Sequence, residues 1–159
     1  MEMVRFLELL KANGACQPGY DHCEKHSTPE EAVRSLKRGD WIQWLMLYED
    51  FHELSEYCDW SLLNSVKWVV LLIDFPKFSV HCDFTDISER LWVILLKNQP
   101  QLSEHCNFNK FTNTNWFHLL DARPELIDLC DISKLRHYDK STLVETHPQL
   151  ATYFNKTTK

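Results

Sequence analysis

Hydrophobic and polar positions recur along this chain with a period of 24 residues. Tryptophan, leucine, proline and cysteine each return at that interval, without an insertion. The columns are Trp44, Trp68, Trp92 and Trp116; Leu47, Leu71, Leu95, Leu119 and Leu143; Pro76, Pro100, Pro124 and Pro148; and Cys58, Cys82, Cys106 and Cys130. Because the register is constant, the pattern predicts a tandem array of one structural unit.

Each unit is predicted to hold a buried helix followed by a short second helix. Residues that favour helix starts stand four positions before each tryptophan, at Asp40, Asn64, Ser88 and Thr112. The segment that follows is apolar on nearly all sides, which is typical of a buried helix, and the residue before the proline ends it. The proline then suits the first position of the second helix. The Asp or Asn after each cysteine is expected to cap a short 3₁₀ or extended link.

One such unit cannot bury its tryptophan, leucines and cysteine alone, whereas stacked units bury them against their neighbours. The sequence therefore predicts an all-α fold, a short α-helical solenoid of about four and a half 24-residue repeats behind a helical N-terminal cap. The predicted cap spans residues 1–39 and the solenoid residues 40–159. The predicted repeats are 40–63, 64–87, 88–111, 112–135 and a partial repeat at 136–159.

The predicted cap contains two helices. An amphipathic helix near the start is expected to stop at Asn13-Gly14, because glycine suits a left-handed helix end. A second helix is expected to begin after Ser27 or Thr28, with Pro29 in its first position, and to finish at Gly39.

The repeat pattern W-x-x-L-L-x-x-x-P-x-L-x-x-x-C-D resembles tandem 24-residue helical repeats of bacterial proteins and is similar to leucine-rich variant repeats, which are also solenoids. It covers about residues 40 to 155. The segment from Asn13-Gly14-Ala15-Cys16 to Arg38-Gly39-Asp40-Trp41 resembles a small helical module of bacterial and phage proteins. Both resemblances imply a recognition scaffold, and neither carries a catalytic motif to this chain.

Charge is concentrated in the first repeat. The chain carries a net charge of -6, and residues 40–63 hold six acidic residues without a Lys or Arg. The stripe of basic residues that binds nucleic acid is missing, so direct DNA or RNA binding is not expected. The acidic run is either a solvated face or a patch that steers a basic protein partner. The candidate contact residues are Glu49, Asp50, Glu53 and Glu56, with Asp74 and Asn98 at the positions equivalent to Asp50 in the next two repeats.

The cysteine column is predicted to be reduced and packed in the interior. Neighbouring coils of a helical stack lie about 8–10 Å apart, which exceeds the Cα separation of about 7 Å that a disulfide tolerates. The apolar column of Trp60, Phe84, Phe108 and Ile132 is likewise expected in the core.

Metal-type ligands cluster once, in the predicted cap. Cys16, His22, Cys23 and His26 offer four zinc-type ligands in eleven residues. Their spacing matches none of the usual zinc motifs. We therefore interpret these side chains as part of the packing and surface of the cap, and no metal or cofactor is predicted. A metal- or redox-sensing module built on Cys16 and Cys23 stays a third class of function.

Catalytic motifs such as a glycine-rich phosphate loop are missing from the sequence, and an enzyme is not expected. The leading hypothesis is a non-enzymatic protein–protein interaction scaffold that uses variable surface positions and the acidic first repeat. The alternative is a phage or bacterial antagonist, of the anti-CRISPR or anti-defence type, whose acidic face blocks a nucleic-acid-binding enzyme. Without a signal peptide or membrane span in the sequence, we expect a cytoplasmic protein.

Overall fold

The predicted all-α fold is confirmed in the computed structural model, which describes residues 1–155 and contains no strand among them. The α-helices are α1 (Met3–Ala12), α2 (Gln17–Cys23), α3 (Pro29–Arg34), α4 (Gly39–Met46), α5 (Ser65–Asp74), α6 (Glu89–Asn98), α7 (Asn113–Ala122), α8 (His137–Thr146) and α9 (Ala151–Asn155). The 3₁₀-helices are η1 (Glu49–Tyr57), η2 (Trp60–Leu62), η3 (Pro76–His81), η4 (Phe84–Asp86), η5 (Pro100–His105), η6 (Phe108–Lys110), η7 (Pro124–Leu129), η8 (Ile132–Lys134) and η9 (Pro148–Leu150).

The chain forms two compact units, residues 1–82 and residues 83–159. In the first unit, α1 packs on α2, α2 on α3, and η1 on both α3 and α4. In the second unit, α6 packs on α7 and α7 packs on α8. The last four residues of the predicted partial repeat at 136–159 lie outside the described part of the chain. A cap boundary at 39/40 stays a prediction.

The three internal repeats have the predicted local structure. Each has a ten-residue α-helix, a 3₁₀-helix that begins at the proline, and a three-residue 3₁₀-helix after the cysteine. Asn64, Ser88 and Thr112 cap their helices, since each side-chain oxygen accepts a bond from a backbone N–H three residues on. The second helix is a 3₁₀-helix, and the cysteine that follows it has extended geometry.

The first repeat departs from the prediction. Arg38, and not Asp40, precedes α4 as its N-cap, and Asp40 lies within the first turn. In the internal repeats the positions equivalent to Glu49 and Asp50 end the α-helix, but α4 ends at Met46 and these two acids begin η1. His52 stands where later repeats have proline, so no proline fixes where the second helix begins, and Phe51 and Leu54 of η1 are buried in the earlier-starting 3₁₀-helix.

The N-terminal helices largely follow the prediction. Helix α1 ends at Asn13, and Gly14 takes the left-handed conformation with a φ of 76°. Thr28 caps α3, and its hydroxyl accepts a bond from the Glu31 N–H at 3.2 Å. Helix α3 stops at Arg34, earlier than predicted, and the sequence analysis missed α2.

The repeated leucines lie inside, and several variable positions lie outside. The leucines at 71, 95, 119 and 143 are fully buried. By contrast, variable positions such as Val66, Val70 and Val80 are exposed. The repeat therefore supplies a fixed interior for a surface that changes from one unit to the next.

Within residues 1–155, no helix has the length and apolar character that crossing a membrane requires.

Candidate protein-binding site

Helix η1 presents an acidic row in the first unit. A 3₁₀-helix has three residues per turn, so side chains three apart lie one above another. Asp50, Glu53 and Glu56 have this spacing, and Asp50 and both glutamates are exposed. Successive carboxylates therefore rise by about 6 Å along one edge of the helix. We call these three residues the acidic row.

Buried aromatic packing fixes the orientation of η1. Phe51 and Leu54, also three apart, are almost completely buried. The Phe51 ring meets the Phe6 ring edge to face, with centroids 5.6 Å apart. Since one row of η1 is held in the core, the acidic row beside it cannot turn inward.

His52 lies on the remaining side of η1, where it contacts Lys77. The Lys77 ammonium lies 2.6 Å from Nδ1 of His52, and an ammonium can only donate. Nδ1 is therefore the acceptor, and the N–H at Nε2 donates to the Met46 carbonyl at 2.9 Å. Sequence reasoning missed both residues, although the break in the proline column at His52 was a visible signal.

The structure brings together only part of the predicted site. Glu49 is exposed and lies on the His52 side of η1, next to the row. Glu53 also contacts the amino group of Met1, at 3.1 Å from Oε1. Asp74 is exposed at the last residue of α5 in the same unit. Asn98 ends α6 in the second unit, where its amide donates to the Ile94 carbonyl.

The aromatic column is half-buried, so the prediction that it lies in the core is wrong. Each member is the first residue of a short 3₁₀-helix. Trp60 lies between the rings of Trp68 and His81, at 5.2 and 4.8 Å. Phe84 lies in the same way between Trp92 and His105, at 5.5 and 4.3 Å.

No disulfide bond links the six cysteines, and the four of the repeat column are half-buried rather than packed fully in the interior as predicted. Burial raises the pKa of the thiols of Cys58, Cys106 and Cys130 to about 12 and that of Cys23 to about 11. Cys16 is exposed. Thiols with such high pKa values are poor nucleophiles near neutral pH, because the reactive thiolate is scarce.

The two histidines among the four metal-type residues of the N-terminal region are engaged by one serine. His22 and His26 both reach the Ser35 hydroxyl, at 2.8 and 2.9 Å. That hydroxyl lies 2.8 Å from the Ala32 carbonyl, to which it donates. Among residues 1–155, no group of three or more His, Cys, Asp or Glu side chains is arranged to hold a metal ion.

Comparisons with protein families, with curated proteins and with solved structures find no match to this chain.

Proposed function

We propose that this protein is a non-enzymatic scaffold that binds another protein, and that the acidic row of Asp50, Glu53 and Glu56 contacts a basic surface of that partner. The observation that carries the proposal is the row itself, whose three acids are regularly spaced and exposed and whose orientation is held by the buried face of η1. Surface carboxylates attract a basic partner at long range and set the register of docking.

The repeat architecture supports the same function. Buried positions are kept from unit to unit while exposed positions vary, so one backbone can carry different contact surfaces. The resemblance to bacterial tandem helical repeats implies a recognition scaffold as well. The lack of disulfide bonds between the cysteines is consistent with a reducing compartment, and we propose that the complex forms in the cytoplasm.

A second candidate function rests on the regularity of the row. Carboxylates at even intervals along one edge offer the kind of charge pattern that a nucleic-acid backbone offers to a basic groove. Under this proposal the protein is a phage or bacterial antagonist that occupies the groove of a nucleic-acid-binding enzyme.

Affinity capture tests the proposed function. The test variant is Asp50→Lys with Glu56→Lys, which reverses both ends of the row and leaves Glu53 with its partner Met1. The matched control is Glu104→Lys with Asp128→Lys, which reverses two exposed acids at the positions of later repeats that correspond to Glu56. We expect wild type and control to retain a protein that the test variant loses. Retention of the same proteins by all three would contradict the proposal.

Nucleic acid then separates the two functions. A duplex added to the captured complex should displace the partner if the partner's nucleic-acid groove is occupied. A partner that stays bound in excess duplex indicates a plain scaffold and sinks the antagonist proposal.

A further inference from the structure

A pocket of about 450 Å³ opens in the N-terminal region of the first unit. Its apolar lining includes Leu10, Leu36 and Leu45, which are buried, and the half-buried rings of Trp41 and Trp44. Pockets of about 300–1,000 Å³ with mostly apolar walls and a few polar groups are typical of small-molecule sites. The size and lining of this pocket fit that class.

Arg38 is the cationic group of the pocket, and two contacts hold it in place. Its Nε and Nη2 atoms donate to the two carboxylate oxygens of Asp40, at 3.1 and 2.6 Å. Its guanidinium also lies over the Trp41 ring, 4.7 Å from the centroid. The hydrogen bonds from Arg38 lower the pKa of Asp40, and the same contact raises the pKa of Arg38. The guanidinium is therefore oriented before any ligand arrives.

One edge of that guanidinium is free to bind a ligand. Arginine has five N–H donors, and Asp40 takes one from Nε and one from Nη2. Among residues 1–155, the N–H groups of Nη1 donate to no acceptor. The Arg38 side chain is also 56% exposed, so this edge can be reached from solvent.

The charges select the class of ligand. Arg38 is the only Lys or Arg that lines the described pocket, and Asp40 already balances its charge. A doubly charged phosphate is poorly matched to a single balanced guanidinium, whereas a carboxylate matches the fork of an arginine with two parallel bonds. The rest of the ligand should be largely apolar, because the lining other than Arg38 and Asp40 consists of leucine, tryptophan, alanine, glycine and cysteine.

We propose that this pocket binds a small organic acid, whose carboxylate accepts hydrogen bonds from the free edge of Arg38 and whose apolar body packs against Trp41 and Trp44. The exposed Cys16 thiol lies on the lining of the same pocket and is covered when the ligand is bound. The site shares no residue with the acidic row, so it stands independently of the protein-binding proposal.

Calorimetric titration of the full chain with 3-phenylpropanoate tests the site. The uncharged 3-phenylpropanamide serves as the matched ligand with the same ring and chain. A hydrogen bond to a charged group contributes roughly 1.5–3 kcal/mol, so the acid should bind wild type about 10-fold or more tightly than the amide. In Arg38→Gln this preference should disappear while the amide keeps its affinity. Lys37→Gln removes a neighbouring exposed charge that does not line the pocket and should leave the preference unchanged.

Alkylation of Cys16 gives a second readout that does not depend on affinity. The acid should slow the reaction of Cys16 with iodoacetamide in wild type and in Lys37→Gln, and it should do so less in Arg38→Gln. The proposal is overturned if the acid does not bind wild type, if acid and amide bind equally, if Arg38→Gln keeps the preference, or if bound acid leaves Cys16 fully reactive. Arg38 makes no side-chain cap bond to α4, so its replacement removes no helix cap.

Discussion

The first repeat and the internal repeats share one register but differ where the α-helix gives way to the 3₁₀-helix. In the internal repeats a ten-residue α-helix ends just before the proline, and a six-residue 3₁₀-helix begins at it. In the first repeat α4 has eight residues and η1 has nine. The longer 3₁₀-helix aligns Asp50, Glu53 and Glu56 in one row, in the repeat whose second helix has no proline.

Backbone angles show how the proline acts. The residues before Pro76, Pro100 and Pro124 have φ values of -130, -130 and -140° and ψ values near 70°. Clash with the proline ring excludes helical geometry at these residues, which ends the α-helix. In the first repeat Phe51 occupies the equivalent place and lies within η1. Where a proline is present, the second helix starts at it. In the first repeat, which has no proline at this position, the second helix starts earlier.

Removing a tryptophan should have the largest effect on stability, and the size of that effect should differ between the first repeat and the internal repeats. Trp116 is fully buried, whereas its equivalent Trp44 is half-buried. We expect Trp116→Ala to lower the free energy of unfolding by about 3–5 kcal/mol, and Trp44→Ala to lower it by clearly less, as measured by urea denaturation. Equal losses would mean that the two repeats bury this position alike. Trp116→Phe is the control, because it keeps an aromatic ring and removes an indole N–H that has no hydrogen-bond partner among the described residues.

Introducing the missing proline tests the comparison directly. His52→Pro should cost about 3 kcal/mol of stability, because proline inside a helix removes an N–H donor and excludes helical geometry at Phe51. It also removes the His52 contacts to Lys77 and the Met46 carbonyl. Urea denaturation measures the cost. His52→Ala loses the same side-chain contacts without the proline ring, and similar losses in the two variants would show that the backbone register does not matter.

Replacing the residue at the start of a helix should change the free energy of unfolding by less than the substitutions above. Thr112 and Asn115 form a reciprocal capping box at the start of α7, and Thr112→Ala should lower the free energy of unfolding by about 1 kcal/mol. Asp40 lies inside α4 and pairs with the exposed Arg38, so Asp40→Ala should change stability by less than about 1 kcal/mol. Thermal and urea unfolding of the two variants check this order. A larger loss in Asp40→Ala would show that the first repeat depends on Asp40 after all.

The internal repeats were predictable because local chemistry decides them. Asn64, Ser88 and Thr112 can accept a capping bond, and Pro76, Pro100 and Pro124 exclude the preceding residue from the helix. These effects act over a few residues and are visible in the sequence. The first repeat was harder, because without a proline at position 52 no local signal fixes the start of η1, which then depends on burial of Phe51 and Leu54.

The candidate site was predictable in composition and not in geometry. The sequence shows the acids of the first repeat directly. Their alignment in one row could not be predicted, because it depends on residues 49–57 forming a 3₁₀-helix and not an α-helix. Half-burial of Trp60 and Phe84 was missed for a related reason. Periodicity shows that a position is apolar and repeated, and whether a second layer covers it depends on tertiary packing.

Affinity of the captured partner as a function of salt tests the central claim that the acidic row binds a basic protein surface. Binding to wild type and to the Glu104→Lys with Asp128→Lys control should weaken as salt rises, because salt screens exposed charges. The Asp50→Lys with Glu56→Lys variant should bind about 10-fold or more weakly at low salt, a loss typical of broken charge pairs at an interface. Equal affinities for all three proteins, unchanged by salt, would contradict the account.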